Sequence, residues 1–230
     1  MNRHAFKAVF FDLDGTLVDM HGPLYVAAKN ALEALGHRPA LTREDYHAAL
    51  RRNDLWLGLA EHLRPAYLKL AYAYFFAEVD RTERMEVLPG VLEALTQIKR
   101  LGYVTGVVTS RPGDPRRLIE KLAMVGLAVH LDHVLTAETV LLGALDKTEA
   151  LREAALRAAA ATGACVYVGD EPRDVVAARR AGFGAALAVA TGPAAVRLLN
   201  NQVESPPDFV MRSMGELPGV LDRLAREGDA

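Results

Sequence analysis

The amino-acid sequence predicts an α/β fold, with a parallel sheet covered by helices on both faces and an inserted unit that is all helical. Three observations support this class. Residues 8–11 form a short apolar segment of β-forming side chains that ends in aspartates. Residues 20–86 contain only helical patterns, whereas strand-like and helix-like segments alternate from residue 87 onward. We therefore predict a discontinuous core, residues 1–19 and 87–230, interrupted by a helical unit, residues 20–86.

The composition limits the possible functions. A chain of 230 residues, of which 51% are apolar, has room for one or two domains with a buried core. The chain has 27 Lys and Arg and 29 Asp and Glu, so it lacks the excess of basic residues that is typical of nucleic-acid-binding proteins. The single cysteine, Cys165, cannot form an internal disulfide and is typical of a reducing compartment. No apolar stretch approaches the roughly 20 residues of a membrane helix. We expect a cytoplasmic protein that binds neither nucleic acid nor membrane, and its oligomeric state stays open.

The helical insertion begins directly after the aspartates, so it is placed to cover whatever binds at that strand end. The connections near Met20 and Val87 would then act as hinges. Its predicted helices start near Pro23 and after Thr42, and cover residues 55–59 and 65–79. Several of its side chains are able to contact a ligand: His21, Arg51, Arg52, Asn53, Asp54, Trp56 and Arg64.

The core segments alternate between strand and helix. Strands are expected at residues 103–108, 134–136, 164–169, 185–189 and 209–210. Helices are expected to open at Asp114-Pro115, to run from Lys147 to Gly163 through an Ala-rich stretch, and to run from Pro172 to Gly182. Ser213 and Glu216 have the spacing of a capping box before the last helix.

Asp12 and Asp14 follow the first strand and lead into Gly15. Because side chains alternate between the two faces of a strand, both aspartates lie on the same face if the strand pairing continues to Asp14. The carboxyl ends of parallel strands are where open α/β sheets bind ligands. Because Asp-Gly is also a common turn signal, the segment on its own indicates either a turn or an acidic site.

Polar residues also follow the next strand of the core. Thr109 and Ser110 are two hydroxyls at its end, and Arg111 adds a cation. Hydroxyls there either bind a phosphate oxygen or simply begin a loop.

Two further segments place charges near predicted strand ends. Lys147 begins a helix, where a cation opposes the helix dipole, so it either meets an anionic partner or is an exposed lysine of the first turn. Asp170 ends a strand and Asp174 lies four residues on. Asp170 either binds a metal or caps the helix that is expected to begin at Pro172.

In this order, four segments resemble the haloacid dehalogenase superfamily: Asp12-Leu13-Asp14-Gly15-Thr16-Leu17-Val18-Asp19, Thr109-Ser110, Lys147, and Gly169-Asp170 to Asp174. The resemblance spans nearly the whole core. The helical insertion is similar to the C1 cap of phosphoglycolate phosphatase-like members. The resemblance implies a Rossmann-like core and a phosphatase that forms an aspartyl-phosphate intermediate.

The resemblance also implies catalytic roles. Asp12 would attack phosphorus as the nucleophile, and Asp14 would protonate the leaving alcohol and later accept a proton from water. Thr109 or Ser110 would bind the phosphoryl group that is transferred. Lys147 would neutralise its charge beside Asp12.

The implied cofactor is Mg²⁺. The Asp12 carboxylate, the Asp14 backbone carbonyl and Asp170 would hold the ion, and Asp174 would be either a further ligand or a supporting partner. Oxygen-only ligands suit this hard cation. Glu171 stands where similar sequences commonly carry Ser or Thr, and it adds a negative charge that Arg173 is able to offset.

The expected substrate is a small phosphorylated metabolite. The nearest enzymatic alternative is a phosphomutase, which returns the phosphoryl group to its substrate. A non-catalytic protein that binds a phosphorylated ligand is the alternative from another class, and the intact aspartate pair argues against it. A dehalogenase is disfavoured, because such relatives lack an aspartate at the position of Asp14.

Overall fold

The computed structural model of this protein describes residues 6–37, 41–52, 54, 56–81, 85–139 and 146–227. The chain divides into two compact units. One consists of Met1–Asp19 with Arg84–Ala230 and contains the sheet, and the other, Met20–Glu83, is helical. None of the helices in the described ranges is long and apolar enough to cross a membrane.

The sheet has six strands, and every neighbouring pair is parallel. In chain order they are β1 Ala8–Phe11, β2 Val104–Val108, β3 His133–Leu135, β4 Cys165–Gly169, β5 Ala185–Val189 and β6 Phe209–Met211. Their spatial order, β3-β2-β1-β4-β5-β6, is that of the Rossmann fold. The predicted α/β class with a Rossmann-like parallel sheet is therefore confirmed.

Nine α-helices lie in the described part of the chain. The helical unit contains α1 His21–Ala34, α2 Arg43–Arg51 and α3 Arg64–Arg81. The sheet unit contains α4 Val91–Arg100, α5 Pro115–Met124, α6 Thr148–Arg157, α7 Pro172–Ala181, α8 Ala195–Leu199 and α9 Leu217–Glu227.

Both faces of the sheet are buried, as the alternation of β1 illustrates. Val9 and Phe11 join the core that α4, α5 and α9 cover, whereas Ala8 and Phe10 join the core beneath α6 and α7. The second core is rich in alanine, which lets those helices approach the sheet closely. Burial on both faces explains why the strands read as continuous apolar runs.

The helical unit has an apolar core of its own. Ala31 and Leu32 of α1 are fully buried and cluster with Tyr67 of α3. Thr42 caps α2, as predicted, because its Oγ1 accepts a hydrogen bond from the backbone N–H of Asp45 at 3.1 Å. The aromatic residues of α3 thus contribute to packing inside this unit.

Two predicted helices differ from the structure. Residues 56–58 form turns, and Leu57 and Gly58 have φ angles of 53° and 76°, which end any helix there; residue 55 lies outside the described residues. The helix predicted to reach Gly163 ends at Arg157, and Ala159 has a φ of 49°. Helix propensity alone does not fix where the chain must turn back into β4.

Candidate active site

The polar residues that follow β1, β2 and β4 lie at one edge of the sheet. Phe11, the last residue of β1, stands opposite Val107 of β2 and Val168 of β4. The residues that follow the ends of these three strands therefore lie near one another at the carboxyl end of the sheet. Asp12 and Asp170, which follow β1 and β4, both contribute to one acidic cluster.

Lys147 is the cation at the centre of this cluster. Its Nζ lies 2.8 Å from Asp12 Oδ1 and 2.8 Å from Asp174 Oδ1, and its side chain is 2% exposed. Burial would lower the pKa of Lys147, yet the charges of Asp12 and Asp174 raise it well above its usual value. Nζ also lies 5.7 Å from the centre of the Tyr167 ring, a cation–π distance. Lys147 thus stays charged beside Asp12.

Asp12 lies in surroundings that oppose its negative charge. Burial raises the pKa of Asp12, Lys147 lowers it, and the charge of Asp174 raises it further, so that the pKa is about 7. Its Oδ1 also accepts a hydrogen bond from the backbone N–H of Leu13 at 2.8 Å. A further cation at this position would stabilise the ionised carboxylate.

The carboxylates of Asp12, Asp170 and Asp174 are buried, and each offers an oxygen atom within 4.8 Å of the others. Asp170 Oδ1 accepts a hydrogen bond from Thr16 Oγ1 at 3.3 Å, whereas the buried Oδ2 has no hydrogen-bond partner within the described residues. Burial, with the neighbouring charge of Glu171, raises the pKa of Asp170 well above its usual value. An oxygen-only donor set with one buried oxygen unpaired fits a hard divalent cation.

The loop after β5 closes around this cluster. A β-carbon added to Gly192 would lie 1.8 Å from Asp170 Oδ2, so only glycine leaves room for that carboxylate. The hydroxyl of the preceding Thr191 donates a hydrogen bond to the carbonyl of Gly15. Neither loop residue was predicted for the site from the sequence, although a Thr-Gly-Pro turn one residue after a buried strand is a signal for it.

Asp14 does not share Lys147 with the cluster; it pairs with Arg111. Arg111 Nε donates to Asp14 Oδ2 at 2.8 Å and Nη2 donates to Oδ1 at 2.5 Å. The two side chains are 9% and 12% exposed. Arg111 was recognisable in the sequence only as a cation at a strand end, and the structure identifies it as the partner of Asp14.

The two hydroxyls predicted to bind phosphate have different surroundings. Thr109 is buried, and its Oγ1 accepts a hydrogen bond from the backbone N–H of Arg111 at 3.2 Å. Ser110 Oγ is buried and has no hydrogen-bond partner among the described residues. Ser110, the second residue after the end of β2, therefore offers an unsatisfied hydroxyl.

The start of α7 decides whether Asp170 caps that helix. The N-cap residue is Glu171, and its backbone N–H donates to Asp174 Oδ2 at 3.1 Å. The alternative in which Asp170 caps the helix is therefore wrong. Glu171 Oε2 lies 2.6 Å from Arg173 Nε, so the extra negative charge has the basic partner expected from the sequence.

Four of the residues predicted to contact a ligand have contacts within the helical unit. Asp54 accepts hydrogen bonds from the backbone N–H groups of Trp56 and Leu57, and the Arg64 guanidinium lies 5.1 Å from the centre of the Trp56 ring. His21 lies 5.4 Å from the ring of His47. Asn53 and the side chain of Arg51 lie outside the described residues.

Known proteins resemble this chain in sequence and in fold. A model of the haloacid dehalogenase-like hydrolase family matches residues 6–182. Phosphoglycolate phosphatase from Synechococcus elongatus is 30% identical over 227 residues, which cover 96% of this chain and 100% of the relative. A plasmid phosphoglycolate phosphatase from Cupriavidus necator is 33% identical over 237 residues, which cover 93% and 92% of the two chains.

The same fold occurs in a crystal structure of a subfamily IA hydrolase of this superfamily from Geobacter sulfurreducens. Its TM-score is 0.63 at 21% identity, and the match covers 96% of this chain and 98% of that one. Because the family model spans more than half of the sequence, this chain belongs to the haloacid dehalogenase-like hydrolase family and is an enzyme of the hydrolase class, as its motifs predicted.

Proposed function

We propose that this protein is a Mg²⁺-dependent phosphatase that hydrolyses a small phosphate monoester through an aspartyl-phosphate on Asp12. The observation that carries this proposal is the contact of Lys147 Nζ with Asp12 and Asp174, 2.8 Å from each, within a buried cluster of carboxylates. The relatives named phosphoglycolate phosphatase support it and make 2-phosphoglycolate the first substrate to assay.

The carboxylates of Asp12, Asp170 and Asp174 would hold Mg²⁺, with the backbone carbonyl of Asp14 as a further ligand. The unpaired Oδ2 of Asp170 supports this assignment, because a buried carboxylate oxygen without a partner is costly unless a cation binds it. When bound, the ion supplies positive charge for the phosphoryl oxygens and for the clustered carboxylates.

The reaction itself would use two aspartates. An Asp12 oxygen attacks phosphorus while the bond to the leaving oxygen breaks, and Asp14 gives that oxygen its proton. Asp14 then accepts a proton from water, whose oxygen attacks the same phosphorus and displaces Asp12. The products are the alcohol and inorganic phosphate, and both aspartates return to their starting states.

The remaining residues would bind and neutralise the phosphoryl group. The hydroxyl of Ser110, which lacks a partner among the described residues, is available to donate to a phosphoryl oxygen. Lys147, held charged beside Asp12, would balance the negative charge that approaches the nucleophile. The interpretation of residues 20–86 as a C1-type cap stays a prediction.

The decisive test is Asp12→Asn, which keeps the size of the side chain and removes the nucleophile. We expect phosphate release from 2-phosphoglycolate in the presence of Mg²⁺ to fall by about three orders of magnitude or more. The same assay in EDTA measures the release that does not depend on metal. The matched control is Asp222→Asn, at a side chain on α9 that is 62% exposed, and it should retain wild-type turnover. Persistent metal-dependent phosphate release by the Asp12 variant would contradict the nucleophile assignment.

A further inference from the structure

We propose that Arg111 binds a second anionic group of the substrate, located on its leaving alcohol, and that it releases Asp14 when it does so. This inference rests on the proposed phosphatase function. It assigns a substrate class, namely phosphate monoesters whose alcohol carries a negative charge such as a carboxylate.

The ion pair between Arg111 and Asp14 restricts what Asp14 is able to do. Both carboxylate oxygens of Asp14 accept a hydrogen bond from the guanidinium, at 2.8 Å and 2.5 Å. An acid that protonates a leaving oxygen has to carry the proton on one of these two oxygens and present it to the substrate. The two-pronged contact with Arg111 therefore has to open before Asp14 acts as an acid.

Opening this contact has a cost for Arg111. Arg111 is 8% exposed, and Asp14 is the carboxylate that it contacts among the described residues. Separation from Asp14 would leave a nearly buried guanidinium without its hydrogen-bonded carboxylate, which is costly. A carboxylate of the substrate removes that cost, because the planar guanidinium binds any carboxylate through the same pair of parallel hydrogen bonds.

The contacts of the two cations locate this anion on the leaving group. Lys147 contacts Asp12, so that cation lies beside the nucleophile. Arg111 contacts Asp14, the proposed donor of the proton to the leaving oxygen, so it lies beside the group that meets the leaving alcohol. The two cations thereby have separate tasks: Lys147 neutralises the transferred phosphoryl group, and Arg111 recognises the alcohol.

The experiment compares two esters of the same length, 2-phosphoglycolate and 2-hydroxyethyl phosphate, of which only the first has a carboxylate. The wild-type protein should prefer 2-phosphoglycolate in kcat/KM. Arg111→Gln should lower this preference about 10- to 100-fold, the usual effect of losing hydrogen bonds between charged groups. Arg111→Lys should retain part of the preference, because it keeps the charge but not the paired hydrogen bonds.

Arg117→Gln is the matched control, since Arg117 is exposed on α5, and the preference should not change. An equal loss for both esters in Arg111→Gln would mean that Arg111 only supports Asp14, and the inference would be wrong. If Arg111→Gln does not fold, the ratio for Arg111→Lys decides, and an unchanged ratio overturns the proposal.

The wild-type protein itself separates the two proposals. Release of phosphate from neither ester would contradict this inference, and absence of release from a wider panel of phosphate monoesters would also contradict the proposed function. Hydrolysis of both esters without a preference for the carboxylate would contradict the role of Arg111 alone.

Discussion

Lys147 is shared between Asp12 and Asp174, whereas Asp170 has no ion pair within the described residues. One cation therefore faces three buried carboxylates. Burial raises the pKa values of Asp12 and Asp170, and one cation does not offset this rise for three clustered carboxylates. This imbalance explains why this group of residues fits a divalent ion, which would supply the missing positive charge.

The raised pKa of Asp12 gives a pH-dependent prediction. This pKa is about 7 in the folded protein and near 3.8 in an unfolded chain, so between those values the folded state holds a proton that the unfolded state has lost. The stability contributed by this group without metal should therefore fall as pH rises from about 4 to about 7. Thermal unfolding in EDTA from pH 5 to pH 8 measures this slope, and Asp12→Asn should reduce it.

Added Mg²⁺ should act in the opposite direction. Because the ion requires an ionised carboxylate, it should raise the unfolding temperature more at pH 8 than at pH 5. The same pH slope in EDTA for the wild type and Asp12→Asn would contradict the assignment of the titration to Asp12.

A substitution at Gly192 tests the cluster without removing any charged side chain. An alanine there would put its β-carbon 1.8 Å from Asp170 Oδ2, so the carboxylate or the loop has to move. We expect Gly192→Ala to weaken Mg²⁺ binding, measured by calorimetry, by about 10- to 100-fold, a range typical of lost support around a metal site.

The matched control for this variant is Gly219→Ala on α9. No described heavy atom lies within 4 Å of an added β-carbon at Gly219, apart from its chain neighbours and its own helix backbone. Alanine in a helix should stabilise the protein by about 0.4–1 kcal/mol without changing metal affinity. Equal metal affinities for the two alanine variants would show that Asp170 does not need the space beside Gly192.

At the scale of the elements, the strand ends were the predictable part of the site. Each of the strands β1, β2 and β4 is an apolar run followed by a polar residue, and a parallel sheet brings such ends to one edge. Asp12, Thr109 and Asp170 were therefore identifiable without any knowledge of contacts. The order β3-β2-β1-β4-β5-β6 puts the first and fourth strands side by side, which is why residues far apart in sequence meet.

The contacts between loops were not predictable in the same way. Arg111 and Asp14 are 97 positions apart, and no local pattern indicates that two loops will aim these side chains at each other. The approach of Gly192 to Asp170 likewise depends on how the loop after β5 folds back. At the start of α7, Asp170 and Glu171 were both plausible caps, and only the backbone geometry distinguishes them.

Helix ends were less predictable than helix cores for a related reason. The Ala-rich sequence after Lys147 has strong helix propensity up to Gly163 and contains no stop signal. The helix nevertheless ends at Arg157, because the chain has to turn there to enter β4. Thr42 was predictable as a cap because its hydroxyl and the nearby N–H form a local hydrogen bond.

At the scale of the whole molecule, each unit has its own apolar core. Leu32 of α1 belongs to a cluster confined to the helical unit, and Leu187 of β5 belongs to the core of the sheet unit. Separate cores allow separate local stabilities, because unfolding one unit exposes only its own buried surface. The two units should therefore respond independently to the loss of a buried leucine.

Leu32→Ala and Leu187→Ala test this independence, since the two leucines are 0% and 1% exposed. Each cavity should destabilise its own unit by about 2–5 kcal/mol. In hydrogen exchange followed by mass spectrometry, Leu32→Ala should speed exchange in α1 and α3 and leave β1, β4 and β5 protected. Leu187→Ala should speed exchange in those strands. Faster exchange of the strands in Leu32→Ala would mean that the chain unfolds as one cooperative body, because a cavity confined to one core reaches the other only through global unfolding.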